Sequence, residues 1–300
     1  MITTTKNITM ANAITHAGTF HSDEVLSTVI LEKVFSNLTI IRTLEVPENI
    51  GEDVIVYDIG FGKYDHHQKG GNGKRENGVP YASVGLIWKE FGHKIVTDTC
   101  NPTLVWEIIE QDLIQGVDAI DNGSLPKADY PIQAMTFSKA ISEFNPTWDS
   151  QEDADEAFLK AVTFAKIVFD NTLKNAIAKA KAQEIVETAI EKSEGHIMVL
   201  DQHVPWQDFI LLSQNKKAAD ILFVVYPSNR GGYNWQCVPD AIGSFGQRKS
   251  VPDEWKGLSG TKLQEITGIQ TASFCHPNGF IGGADNLCDA IAIAKIAVKS

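Results

Sequence analysis

Apolar and polar positions along this chain change period repeatedly, and the changes mark out its elements. Short apolar runs at Ala13–Thr15, Leu38–Leu44 and Asp53–Tyr57 predict strands. Between the first two, Val25, Val29, Ile30 and Val34 recur at helical spacing and predict a helix over Val25–Phe35, with Ser22 or Asp23 as its N-cap. This strand–helix–strand rhythm predicts an α/β unit with a parallel sheet. Helices are expected over Tyr81–Phe91 and Leu104–Asp121, the second stopped by Asn122-Gly123, with a loop over Ser124–Pro131. Ala154–Ser193 carries Phe158, Ala161, Ala165, Val168, Leu173 and Ile177 at helical spacing, so it reads as one very long helix, or as two broken near Asn171, ended by Gly195. Beyond it the pattern alternates again. Strands are expected at Met198–Leu200, Ile221–Tyr226, Asn234–Pro239 and Ala272–His276, a short helix at Leu263–Thr267 and a closing helix at Asp285–Lys299. The expected architecture is two α/β domains. Residues 1–193 would form the first, with a parallel sheet and the long helix as connector, and residues 194–300 a smaller second one.

At 300 residues the chain can bury a large core without covalent staples. Its four cysteines, Cys100, Cys237, Cys275 and Cys288, form no paired motif and read as reduced thiols of a cytoplasmic protein. No run approaches the roughly 18–20 apolar residues of a membrane span. The opening Met1–Thr9 is a polar tail with no apolar core of a secretory signal. A net charge of −12 argues against broad, sequence-independent duplex binding, although it permits a short strand held by a local basic patch. Lys69–Arg75 is a basic, glycine-rich loop, expected to be flexible and solvated or to reach the mouth of a cleft.

Four clusters carry candidate chemistry: His16/His21/Asp23, Asp58, Asp65-His66-His67 and Asp118/Asp121. The first lies on a strand-to-helix loop and the second near a strand end. Asp118 and Asp121, three residues apart, share a helical face. Mixed carboxylate and imidazole donors suit Mn²⁺, Fe²⁺ or Mg²⁺ rather than the metals that thiolates select. Taken singly, each residue is as well explained as a cap, a turn residue or a satisfied core histidine. Taken together they match a pair of divalent ions about 3.5–4 Å apart, the arrangement that serves in-line attack on phosphate.

The same residues carry a resemblance. Asp65-His66-His67 after a strand bearing Asp58, with an upstream His/Asp loop, resembles the DHH phosphoesterase superfamily, and within it the melanocyte-proliferating-gene (MYG-type) exonuclease family. The matching stretches are Thr15-His-Ala-Gly-Thr-Phe-His-Ser-Asp-Glu24, Tyr64-Asp-His-His-Gln68, Val117-Asp-Ala-Ile-Asp-Asn-Gly123, Asn145-Pro-Thr-Trp148, Pro205-Trp206, Trp255-Lys-Gly-Leu258 and Gly279-Phe-Ile-Gly-Gly283, in order along nearly the whole chain. The resemblance implies that His16 and His21 bind one metal, that Asp23, His66 and Asp118 bind the other, and that Asp58 bridges both. His67 would donate to a substrate phosphate oxygen and Asp65 would orient the pair from behind. Asp121 is held as a supporting or alternative ligand. His21 stands where the wider superfamily usually has aspartate, which leaves the choice of Mn²⁺, Mg²⁺ or another ion open, with Mn²⁺ favoured.

The resemblance also implies a substrate-binding C-terminal domain, with the metals in the cleft between the two. There Gly282-Gly283 is expected to open the last helix and offer backbone N–H groups to an anion, aided by His276 and by Arg230 or Arg248. The activity implied is metal-dependent phosphodiester hydrolysis, as a 3′–5′ exonuclease on short single-stranded RNA. The alternatives are a small-molecule phosphoesterase acting on a dinucleotide, nucleoside bisphosphate or pyrophosphate, and a nucleotide-binding protein without turnover. A homodimer is left open.

Overall fold

The computed structural model describes residues 2–125 and 134–300. The chain divides into two compact units, Met1–Ala178 and Lys179–Ser300. Residues 126–131 of the expected loop lie outside the described residues.

In the first unit, β1 (Ile2–Thr4), β2 (Ala13–His16), α1 (Ser22–Val34), β3 (Leu38–Thr43) and β4 (Ile55–Val56) build a four-stranded sheet of order β1-β3-β2-β4. All of its pairings are parallel. From β2 the chain crosses through α1 to β3 on one side, and β4 then adds on the other. A crevice therefore opens at the carboxyl end of β2, the place where open α/β sheets bind ligands. The polar opening stretch is not a tail, since Ile2, Thr3 and Thr4 pair with Leu38, Thr39 and Ile40 as an edge strand. α1 is buried from Ser22 to Leu31, because it packs against α2 (Ser83–Val96) as well as against the sheet. A helix enclosed on every side has no polar face to spare, and so Asp23 and Glu24 of its first turn are buried too.

α3 (Pro102–Ile109) runs through one π-helical turn, Glu110–Ile114, into α4 (Gln115–Asp121). A short helix, α5 (Phe137–Ser142), follows the undescribed segment. α6 (Ala154–Lys192) is a single helix of 39 residues. It does not break at Asn171, whose side chain donates to the Ile167 carbonyl one turn earlier (2.8 Å). The boundary between the two compact units falls within α6.

The second unit holds β5 (Ile197–Val199), α7 (Gln207–Leu212), α8 (Lys216–Asp220), β6 (Phe223–Pro227), β7 (Tyr233–Cys237), α9 (Thr261–Thr267), β8 (Ala272–Cys275), β9 (Ile281–Ala284) and α10 (Leu287–Lys299). Its five strands are ordered β5-β6-β7-β9-β8, with β5–β6 parallel and the rest antiparallel. Ala290, Ile293, Ala294 and Ala297 of α10 pack onto the sheet around Phe223 and Trp235. Gly282 and Gly283 do not open that helix. They sit in β9, opposite Trp235 and Asn234, and the N-cap of α10 is Asn286. A Cβ at Gly282 would overlap the Trp235 ring and the Phe274 carbonyl oxygen, so this glycine makes room in a core. Among the described residues no helix is long and apolar enough to cross a membrane.

Candidate metal centre

The site assembles at the carboxyl edge of the parallel sheet. β2 delivers His16, whose Nε2 lies 2.9 Å from Glu24 Oε1 and 3.2 Å from Asp58 Oδ2. The N-cap of α1 is His21, not Ser22 or Asp23. Its backbone N–H is held by the Glu24 carboxylate at 2.8 Å and 3.0 Å. This places Asp23 and Glu24 in the first turn, where the helix dipole favours negative charge.

Asp58 follows β4 after Tyr57, whose N–H donates to Ile14 of β2 (3.0 Å). Its φ of +56° is in the left-handed region, which costs free energy for any residue but glycine and is tolerated best by Asp and Asn. The turn that starts there closes when Asp58 N–H donates to the Tyr64 carbonyl (2.9 Å), which returns Asp65-His66-His67 beside Asp58. Asp58 Oδ1 then lies 3.6 Å from His66 Nδ1 and 3.7 Å from His67 Nδ1, while its Oδ2 faces His16. Asp65 accepts from Phe61 N (2.6 Å) and His67 N (3.1 Å), and its Oδ1 is 2.7 Å from His67 Nδ1. The His66 and His67 rings stack at 4.3 Å. His66 Nε2 meets Asp121 Oδ2 at 2.9 Å, and its Nδ1 is 4.0 Å from Asp23.

The electrostatics are those of a site short of positive charge. Both Asp23 carboxylate oxygens, Asp58 Oδ1 and His66 Nδ1 are buried without a hydrogen-bond partner. Leaving such atoms orphaned is costly, and a bound cation would remove the cost. Burial and the neighbouring Asp58, Glu24 and Asp121 push Asp23 well above the usual carboxylate range. Burial also raises Asp58, against the opposing pull of His16. Burial alone would lower His16, but hydrogen bonds to Asp58 and Glu24 push it up to about 10. For Asp121, burial is outweighed by His66, which lowers it. The donor atoms fall into groups able to hold an ion: His16/His21/Glu24, Asp23/Glu24/Asp58, His21/Asp23/Asp121 and Asp58/Asp65/His66/His67. These oxygen and imidazole donors suit hard and borderline divalent ions.

Seven of the expected residues, His16, His21, Asp23, Asp58, Asp65, His66 and His67, are brought together here. Asp118 is not among them. Its Oδ2 pairs with Arg75 Nη2 at 2.7 Å and its Oδ1 accepts from Gly85 N at 3.0 Å. Asp121, expected in support, takes the place beside His66. Pattern reasoning missed Glu24, although its position three residues after the N-cap was a signal for contact with the loop. It also missed Arg75, which is not a solvated loop residue. Arg75 is 9% exposed, pairs with Glu110 as well as Asp118, and lies over the Tyr81 ring at 4.2 Å.

Two cavities reach the cluster through His21, Asp58 and His67. One, of about 730 Å³, has Leu44, Val46 and Phe61 in its wall. The other, of about 490 Å³, has Ser22, Ser138 and Ser142. In the second unit, Arg230 and Gly283 line a cavity of about 740 Å³ with Tyr233, Ser273 and Asp285. Arg248 and His276 are elsewhere. Arg248 Nη1 donates to the carbonyls of Ala218 (2.6 Å) and Ile221 (3.0 Å) at the end of α8, and His276 Nδ1 accepts from Asn278 N (3.1 Å).

The family MYG1_exonuc, described as Uncharacterised protein family (UPF0160), matches the chain over residues 12–298. The chain belongs to this family. MYG1 exonuclease of Rattus norvegicus is 30% identical over 316 residues, covering 94% of this chain and 83% of its own. MYG1 exonuclease of Homo sapiens is 30% identical, covering 94% and 84%. MYG1 protein C694.04c of Schizosaccharomyces pombe is 29% identical, covering 95% and 96%. No solved structure matches the chain. Relatives that carry the name exonuclease support a hydrolytic enzyme.

Proposed function

We propose that this protein is a divalent-metal-dependent phosphodiesterase that acts as a 3′–5′ exonuclease on short single-stranded RNA. The observation that carries the reading is the orientation of Asp58. One carboxylate oxygen faces His16 and the other faces His66, as a carboxylate shared between two ions must. His16, His21 and Glu24 would hold one ion; Asp23, His66 and Asp121 would hold the other. Mn²⁺ suits this donor set best, with Mg²⁺ the alternative. Bound there, the ions would supply an activated water and neutralise the charge that develops on the phosphoryl oxygens.

The chain's own residues do the positioning. Asp65, held by the Phe61 and His67 amides, fixes His67 by accepting from Nδ1–H. The His67 side chain is 54% exposed, which leaves the ring open to a substrate phosphate oxygen. Burial is outweighed by the two hydrogen bonds to His67 and by that to Phe61, so Asp65 lies below the usual carboxylate range and stays the acceptor this role needs. Arg230, in its own cavity, is assigned to a phosphate of the strand end.

The reading is tested by loading purified protein with Mn²⁺ and supplying labelled RNA oligomers, dinucleotides and pyrophosphate. Shortening from the 3′ end is expected for the wild type. For Asp58→Ala we expect loss of turnover by at least a hundredfold and less bound metal by elemental analysis. An Asp58→Ala protein with full metal content and full activity would remove the basis of the reading.

A further inference from the structure

Phosphate chemistry needs charge, yet the larger cavity at the metal centre is apolar along one wall. Leu44 is 81% exposed and Phe61 is 68% exposed, a costly placement for large apolar side chains unless something covers them. Both line the same cavity as His16, Asp58 and His67. Their placement is specified by the chain. Phe61 has φ +56° and donates its N–H to Asp65 Oδ2 at 2.6 Å, so the backbone that holds the ring also holds the residue behind His67. Gly60 lets the two segments meet, since a Cβ there would lie 2.7 Å from Val46 Cγ2. The other cavity reaching Asp58 and His67 differs in chemistry, with hydroxyls from Ser22, Ser138 and Ser142 in its wall. Glu45 joins the apolar cavity and makes it a poor seat for a phosphate chain.

We infer that Phe61, with Leu44 and Val46, is a stacking wall for one nucleobase of the substrate. The adjoining phosphate sits at Asp58 and His67, and the sugar–phosphate continuation follows the hydroxyl-lined side. This deepens the phosphodiesterase reading and rests on it for the position of the phosphate. It specifies a nucleotide over pyrophosphate or a bare sugar phosphate, because only a base has a π face for the ring and apolar surface for the leucine.

Isothermal titration calorimetry of the Mn²⁺-loaded full chain with AMP and with ribose 5-phosphate tests the inference without turnover. The wild type should bind AMP about tenfold or more tighter than ribose 5-phosphate, the yield of one base stacked on an aromatic side chain. In Phe61→Ala this ratio should fall towards one, Leu44→Ser should move it in the same direction, and Phe61→Trp should preserve it. Both positions are exposed enough to be changed without opening the core, and equal melting temperatures and metal content confirm that each variant is folded. A wild-type ratio near one, or a ratio unchanged in Phe61→Ala, overturns the stacking wall. Dinucleotide hydrolysis by the wild type is measured in parallel. Absence of turnover with the affinity ratio intact would overturn the hydrolase reading and leave the wall standing.

Discussion

His16 is where the acid–base character of this centre is most exposed to experiment. Its imidazole is pushed up to about 10, since the Asp58 and Glu24 carboxylates outweigh the burial that would lower it. At neutral pH without metal the ring is therefore protonated and stands in for a cation. A histidine must be neutral to ligate a metal, so binding an ion there expels that proton. The sign follows directly. Raising the pH removes the competitor, and apparent Mn²⁺ affinity should climb about tenfold per unit between pH 6.5 and 8.5. Stability of the metal-free protein should run the other way. A histidine whose folded value is raised above its ordinary 6.5 contributes fully below 6.5 and loses that contribution as pH rises towards about 10. Burial and like charge raise Asp23, so its ionisation subtracts further as pH rises. Melting temperatures with and without Mn²⁺ should diverge with pH over this range. Parallel curves would show that no proton is displaced and that His16 is not a ligand.

The helix carrying Asp118 and Asp121 shows what pattern reading settles and what it leaves open. Periodicity put both carboxylates on one helical face near the site, which they share. It could not say which one reaches His66, because that depends on a buried partner from a distant loop. Arg75 claims Asp118, and Gly85 supplies both the amide and the space beside it, where a Cβ would overlap the carboxylate. One turn on, Asp121 is left to the centre. Asp121→Asn should therefore weaken metal binding at least tenfold, with Asp118→Asn well behind it, as equilibrium dialysis would measure. The reverse order would return Asp118 to the metal. Arg75→Met should act through stability, since it leaves Asp118 and Glu110 buried without their cation; a cost of about 3 kcal/mol or more in denaturant unfolding is expected. No loss would mean that α4 is held by other contacts. The same reasoning explains other differences. A three-residue edge strand, Ile2–Thr4, is too short to show a period. Gly282-Gly283 resembles a loop before a helix until the pairing with β7 is known. The other three strands of the parallel sheet and the ends bearing His16 and Asp58 were legible because they rest on local runs of apolar residues beside polar ones. The pairings that choose among equivalent carboxylates are long-range and were not.

For the chain as a whole, the dominant electrostatic fact is a net charge of −12. A cluster of carboxylates placed to hold cations accounts for only part of it, so much of the negative charge belongs to the surface outside the centre. A substrate of two nucleotides brings little charge near that surface, whereas a longer strand carries a row of phosphates across it. Like charges slow the encounter of such a strand with the protein, and salt screens the repulsion over about 10 Å at 0.1 M. This predicts an unusual salt response for a nuclease. The ratio of kcat/KM for a ten-residue RNA to that for a dinucleotide should rise as ionic strength goes from about 10 to about 150 mM at fixed Mn²⁺, with the dinucleotide nearly flat. Proteins that capture long strands through lysine and arginine contacts behave oppositely, losing affinity steeply with salt as counterions return to the phosphates. A ratio that falls with salt would show that a local basic patch outweighs the net charge and would shift the natural substrate towards longer RNA. A rising ratio would mark short oligomers, left over from the cleavage of longer strands, as the species this surface admits most readily.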